Sequence, residues 1–128
     1  MPVIVVDASA VGAILFNEPE GDQIAMSLEG ASLRAPALLP FEVANICLTK
    51  MRRRRADRDE LFAAFQVFGR MAIETVGIDY AETLALAERT RLTVYDAAYL
   101  WLAQALDADL ITLDRQLRTA DRLLSRGA

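Results

Sequence analysis

The sequence predicts an α/β fold, a three-layer α/β/α arrangement with a mostly parallel central sheet. Two β-like runs and the segments between them carry that prediction. Val3-Ile4-Val5-Val6 is apolar on both faces and stops abruptly on Asp7, which is how a strand buried in the middle of a parallel sheet reads. Asp109-Leu110-Ile111-Thr112-Leu113 is a second such run and again ends on an aspartate, Asp114. Helical segments alternate with strand-like ones throughout, the pattern of a wound α/β domain. In such sheets, ligands bind outside the carboxyl ends of the strands, so the first run places Asp7 where chemistry is expected.

In chain order, Ala8 to Phe16 is alanine-rich and apolar and predicts a short buried helix. Pro19 permits a new helix start, with Glu18, Glu20 and Asp22 near its positive end, running to about Glu29 and stopping at Gly30. Ser32 to Ala35 is a weak candidate for a short strand. Pro36 and Pro40 bracket the entry to a helix over Leu38 to about Arg53, with an expected core stripe of Leu38, Val43, Ile46 and Leu48. Glu42 falls within that stripe, a carboxylate among apolar neighbours. Asp57 with Glu60, and Asp79 with Glu82, have the acid-x-x-Glu spacing of a helix start. The first of these helices repeats Leu61, Phe65, Phe68 and Ala72 on one face; the second runs to about Arg91, with Glu74 to Ile78 a plausible strand between them. Val94-Tyr95-Asp96 leads into Ala97 to Leu106, which is apolar nearly all round and therefore buried on most sides. A last helix follows Asp114, with arginines on its outer face.

At 128 residues the chain is expected to form one domain, residues 1–128, and at 54% hydrophobic it is globular rather than disordered. No apolar run approaches the roughly 18 to 20 residues that span a bilayer, and no basic leader precedes an apolar core, so a cytoplasmic protein without membrane partners is expected. Cys47 is the single cysteine, which excludes an intrachain disulfide and reads as a buried thiol. Histidine is absent. That excludes Ser-His and Cys-His nucleophiles and the usual nitrogen and sulfur zinc sites, so any metal must be held by oxygen, which points to Mg²⁺ or Mn²⁺. The net charge of −4 argues against general nucleic-acid binding, yet Arg52 to Arg55 form a local cationic patch suited to phosphate oxygens or an acidic partner. A solvated helix end at its dipole's negative terminus explains that patch equally well.

Asp7, Asp96 and Asp114 each stand just before a helix, so each alone is also explained as an N-cap. Glu42, read as lying inside a helix, is not explained this way. A buried ionised carboxylate must be neutral, paired or bound to a cation, and the only lysine is Lys50, two turns on. Parallel strands would bring Asp7 and Asp114 to one sheet edge. Clustered carboxylates repel one another unless a divalent cation lies between them, an arrangement built for chemistry on phosphate esters.

Four segments together carry a specific resemblance. Ile4-Val5-Val6-Asp7-Ala8-Ser9-Ala10, Pro36-Ala37-Leu38-Leu39-Pro40-Phe41-Glu42-Val43-Ala44-Asn45, Thr93-Val94-Tyr95-Asp96-Ala97-Ala98-Tyr99-Leu100 and Leu110-Ile111-Thr112-Leu113-Asp114 resemble the PIN domain, and within it the VapC toxins of bacterial toxin-antitoxin pairs. The likeness covers essentially the whole chain. It implies an Mg²⁺- or Mn²⁺-dependent endoribonuclease that hydrolyses phosphodiester bonds in RNA and leaves a 5′-phosphate. Asp7 and Asp96 match the family's metal-binding positions; Glu42 and Asp114 match the remaining acids, which complete the metal shell directly or through water. Ser9, Asn45 and Thr112 match supporting polar positions. A homodimer and a VapB-like antitoxin that covers the acidic pocket are implied as partners, with the helix around Phe65 and Phe68 the first candidate for the dimer face. Relatives often carry a further acid after the last motif, where this chain reads Arg115-Gln116-Leu117, which leaves open how a second metal would be held.

Other small sheets with a strand-end aspartate fit less well. A receiver domain needs a lysine near its last strand, and a haloacid-dehalogenase-type phosphatase needs Asp-x-Asp where this chain has Asp7-Ala8-Ser9. The alternative that remains is a PIN-fold protein acting on DNA, or a regulatory binding module without nuclease activity.

Overall fold

The computed structural model describes residues 1–126, with side chains described through Ser125. The elements run β1 (Val3–Val6), α1 (Ala8–Leu15), α2 (Gly21–Ser27), β2 (Ser32–Pro36), α3 (Leu39–Arg53), α4 (Arg58–Gln66), β3 (Glu74–Val76), α5 (Tyr80–Thr90), α6 (Val94–Ala105), β4 (Asp109–Ile111) and α7 (Arg115–Arg126). Single 3₁₀ turns flank α4, over Arg55–Asp57 and Val67–Arg70. The four strands form one wholly parallel sheet in the order β3-β2-β1-β4. β1 is therefore interior, and its Val5 and Val6 are fully buried, as a run apolar on both faces demands. Helices α1 to α4 pack on one another as one set and α5 to α7 as another, with α6 laid against β1, β2 and β4. The predicted α/β/α layering is what the chain builds.

Register sets the site. Val6 pairs with Ile111, and the Asp7 N–H donates to the Ile111 carbonyl at 3.3 Å, so the residues just past the two strands, Asp7 and Thr112, emerge side by side. On the other flank Val5 pairs with Arg34, two residues before Pro36, from which the chain turns into α3 and Glu42.

Local capping explains most helix starts. The Asp7 carboxylate accepts from the Ala10 N–H at α1, Asp79 from the Glu82 N–H at α5, the Thr93 hydroxyl from the Asp96 N–H at α6, and Asp114 from the Leu117 N–H at α7. Asp57, expected to cap α4, makes no such bond because a 3₁₀ turn already occupies the residues before the helix. The Leu61-Phe65-Phe68-Ala72 face is likewise not one helix: α4 ends at Gln66, and Ala72 has left-handed backbone at φ 54°. The helix predicted from Pro19 begins two residues later and closes at Ser27, and Glu18 instead pairs with Lys50. Gly21 is required there, since a Cβ would stand 2.4 Å from the Ala13 carbonyl oxygen where α2 crosses the end of α1.

The stripe predicted for α3 is rotated. Leu39, Val43 and Cys47, at i, i+4 and i+8, are the buried line, whereas Leu38 and Ile46 are half-buried and Leu48 is 38% exposed. Cys47 is buried as expected, and burial raises its thiol pKa. Phe65 and Phe68 are partly buried and pack against the core, with ring centroids 6.0 Å apart. Among the described residues, no helix is long and apolar enough to cross a membrane.

Candidate active site at the carboxyl edge of the sheet

Asp7 is the most tightly held of the four acids. Its Oδ1 accepts from the Ser9 hydroxyl at 2.7 Å and the Ala10 N–H at 3.0 Å, and its Oδ2 accepts from the Thr112 hydroxyl. Both hydroxyls are themselves oriented by the loop after β4. The Leu113 N–H donates to Ser9 Oγ at 2.9 Å, and the Asp114 N–H donates to Thr112 Oγ1 at 3.0 Å. Each hydroxyl accepts from an amide and so has its proton to give to Asp7. Three donors occupy three of a carboxylate's roughly four acceptor positions and leave one, on Oδ2, for a further partner.

Glu42 departs from its predicted setting. It lies in the first turn of α3, where the helix dipole favours an anion, beside the buried stripe rather than within it. It is half-buried, and its Oε1 accepts from the Tyr99 hydroxyl at 2.5 Å. Asp96 is not an N-cap: Thr93 takes that role and Asp96 is the third residue of α6, half-buried with its carboxylate near the Thr93 hydroxyl. The cap explanation fails for Asp96, whereas Asp7 and Asp114 do cap helices and also stand at the sheet edge.

Electrostatics tie the acids together. Burial raises the Asp7 pKa against the bonds from Thr112, Ser9 and Ala10, and the charge of Asp114 raises it further. Burial raises Glu42, opposed by the Tyr99 bond and reinforced by Asp96 and Asp7. Burial also raises Asp96, reinforced by Asp114 and Asp7 and opposed by Thr93. Asp7, Glu42 and Asp96 thus each feel the charge of at least one other acid: Asp114 acts on Asp7 and Asp96, and Asp7 acts on Glu42 and Asp96. Among the described residues, no three His, Cys, Asp or Glu side chains are gathered closely enough to hold a metal as they stand.

The supporting polar residues divide. Ser9 and Thr112 contact Asp7 directly, whereas Asn45 is exposed on α3, where its backbone carbonyl accepts from the Thr49 hydroxyl and, among the described residues, its side chain makes no hydrogen bond. Arg52 to Arg55 are exposed at the far end of α3; Arg52 lies ten residues past Glu42, roughly 15 Å along the axis at 1.5 Å per residue. The residue that sequence reasoning missed is Tyr99. Burial first, then Glu42, raise its pKa, so it remains a neutral donor. The available signals were a tyrosine three residues after Asp96 and the need of any buried phenol for a partner.

Comparison with known proteins shows the family. The family model described as PIN domain matches residues 4–123. Ribonuclease VapC3 of Pyrobaculum aerophilum is 34% identical over 119 residues, covering 89% of this chain and 91% of that protein. Ribonuclease VapC9 of Mycobacterium tuberculosis is 36% identical over 123 residues, covering 90% and 88% respectively. Among solved structures, the crystal structure of PAE2754 from Pyrobaculum aerophilum superposes with a TM-score of 0.74 at 24% identity, covering 93% of this chain and 86% of that one, a likeness of fold. Matched along nearly all its length by the family model and by relatives of this identity, the chain belongs to the PIN domain family, alongside the VapC ribonucleases.

Proposed function

We propose that this chain is a divalent-metal-dependent endoribonuclease, the toxin of a VapBC-type pair, working in the cytoplasm on single-stranded RNA. The observation that carries the reading is the double relay onto Asp7, in which two hydroxyls set by the amides of Leu113 and Asp114 hold one carboxylate in place at the carboxyl edge of the sheet. The donor set fits a hard cation: every candidate ligand is a carboxylate oxygen, and Asp7 keeps an open position. Asp7, Asp96 and Asp114 would hold Mg²⁺ or Mn²⁺. When bound, such an ion supplies Lewis acidity, lowering the pKa of water and screening the charge of the scissile phosphate.

The chain's own residues do the rest. Asp7 is fixed in place. Asp96, in the first turn of α6 with its carboxylate bonded to the Thr93 hydroxyl, would be a second ligand. Glu42, aimed by Tyr99 and with its pKa raised by burial, is suited to accept the proton of an attacking water near neutral pH. A VapB-like antitoxin would silence the enzyme by covering this anionic edge, and a homodimer is proposed as the working unit.

The test is cleavage of labelled single-stranded RNA and of DNA of the same sequence, in Mg²⁺, Mn²⁺ or EDTA, by the wild-type chain and by Glu42→Gln. RNA cleavage in Mg²⁺ or Mn²⁺, lost in EDTA and in the variant, is expected; cleavage that persists in EDTA, or cleavage of DNA alone, contradicts the proposal.

A further inference from the structure

Next to the carboxylates lies a cleft of about 720 Å³ between α2, the outer side of β4 and α7. Thr112, whose hydroxyl bonds Asp7, forms part of its floor, and Arg115, Arg118 and Arg122 of α7 line its wall. The three arginines fall at i, i+3 and i+7, one face of the helix, and their seven-residue span covers roughly 10 Å at 1.5 Å per residue. Arg118 is anchored by a bond from its Nη2 to the Thr112 carbonyl at 2.7 Å, which engages one of its five guanidinium N–H donors. Glu20 and Asp121 share the lining, yet among the described residues none of the three arginines forms an ion pair with them. In a chain of net charge −4, a row of unpaired guanidiniums that begins beside Asp114 is conspicuous.

We propose that this cleft binds the backbone phosphates of single-stranded RNA on one side of the scissile bond, with Arg115, Arg118 and Arg122 as the contacting side chains. The inference rests on the ribonuclease reading and adds the path of the strand. Guanidiniums match phosphate oxygens in forked pairs, and a row of this length exceeds a single phosphate group and suits a chain of them. The row also supplies what the anionic edge lacks, a positive surface that draws a polyanion toward carboxylates that would otherwise repel it. The strand thus runs along α7, whereas the Arg52 to Arg55 patch stands roughly 15 Å from Glu42 at the far end of α3.

The experiment measures binding of a fluorescent single-stranded RNA by anisotropy, in EDTA so that no cleavage occurs, across a series of salt concentrations. Arg115→Ala/Arg122→Ala is expected to weaken binding at least tenfold and to make the slope of log affinity against log salt shallower by about 1.4, at roughly 0.7 per lost contact to a single strand. Arg115→Lys/Arg122→Lys keeps the charge and is expected to keep most of the slope, which separates phosphate binding from misfolding; melting curves accompany both. Arg53→Ala/Arg54→Ala is expected to change affinity less than twofold. An unchanged affinity and slope in the alanine double variant, a larger loss in Arg53→Ala/Arg54→Ala, or a loss seen only for an acidic protein partner overturns the proposal. Its failure is distinct from failure of the ribonuclease reading: salt-sensitive binding through the cleft without cleavage in Mg²⁺ or Mn²⁺ refutes the latter alone, and cleavage indifferent to the cleft variants refutes the former alone.

Discussion

Replacing Tyr99 with phenylalanine isolates one contact. Tyr99 is 1% exposed and donates its hydroxyl to Glu42 Oε1 at 2.5 Å, and phenylalanine fills the same space without that donor. A hydrogen bond to a charged group contributes about 1.5 to 3 kcal/mol. Half-buried Glu42 regains some water when the donor is lost, so a net destabilisation of about 1 to 2 kcal/mol follows. With an unfolding entropy of about 2.1 cal/mol/K per residue, that lowers the melting temperature by roughly 4 to 7 °C for a chain of this size. The catalytic effect is the more telling. The bond lowers the Glu42 pKa and aims its carboxylate, so Tyr99→Phe moves the acidic limb of the pH–rate profile to higher pH and reduces kcat by roughly 10- to 100-fold, the lower part of what positioned proton transfer contributes. Differential scanning fluorimetry and RNA cleavage across pH 5 to 9 read both. A variant that loses stability but keeps the wild-type kcat and acidic limb would show that Tyr99 merely packs α6 and that Glu42 has no part in the chemistry.

Three further outcomes are expected. Ser9→Ala and Thr112→Val each remove a hydroxyl that lowers the Asp7 pKa, so each should move the acidic limb upward and cost at least tenfold in rate, measured by the same cleavage assay. Raised pKa values at Asp7, Glu42 and Asp96 mean that the folded chain binds more protons than the unfolded one from about pH 4 up to those raised values, so ion-free stability falls as pH rises through that window. In EDTA the melting temperature should therefore be higher at pH 5 than at pH 7.5, with saturating Mn²⁺ at pH 7.5 closing the gap; a lower value at pH 5 would contradict this. Gly21→Ala forces a Cβ against the Ala13 carbonyl oxygen and should destabilise by about 1 to 3 kcal/mol in urea titration, with the carboxyl edge of the sheet untouched.

Residues whose surroundings are local were legible in the sequence. Val3 to Val6 is apolar on both faces, which only an interior strand explains, and so Asp7 could be placed at a sheet edge before any coordinates. Asp79 with Glu82 marked a helix start correctly because both partners lie within one turn. The same signature failed at Asp57 because Arg55, Ala56 and Asp57 itself coil into a 3₁₀ turn between α3 and α4. Glu42 was recognisable as a misplaced carboxylate, yet its depth was misjudged: the turn Ala37-Leu38 between two prolines moves the helix start to Leu39 and the stripe to Leu39, Val43 and Cys47. Its partner Tyr99 lies 57 residues away on a helix so apolar that one hydroxyl left no mark on the pattern. Ser9 and Thr112 were placed by likeness to a family pattern; their role as relays from the amides of Leu113 and Asp114 depends on the Val6 to Ile111 register, which no local pattern encodes.

The central claim is that acids from four separate segments become one ion-binding centre. Isothermal titration of Mn²⁺ into the metal-free chain, without RNA, tests it most directly, alongside Asp96→Asn. Saturable binding to the wild-type chain, weakened at least a hundredfold in a folded Asp96→Asn variant, is the predicted result. Equal binding by both chains, or none by the wild type at millimolar Mn²⁺, would contradict the account.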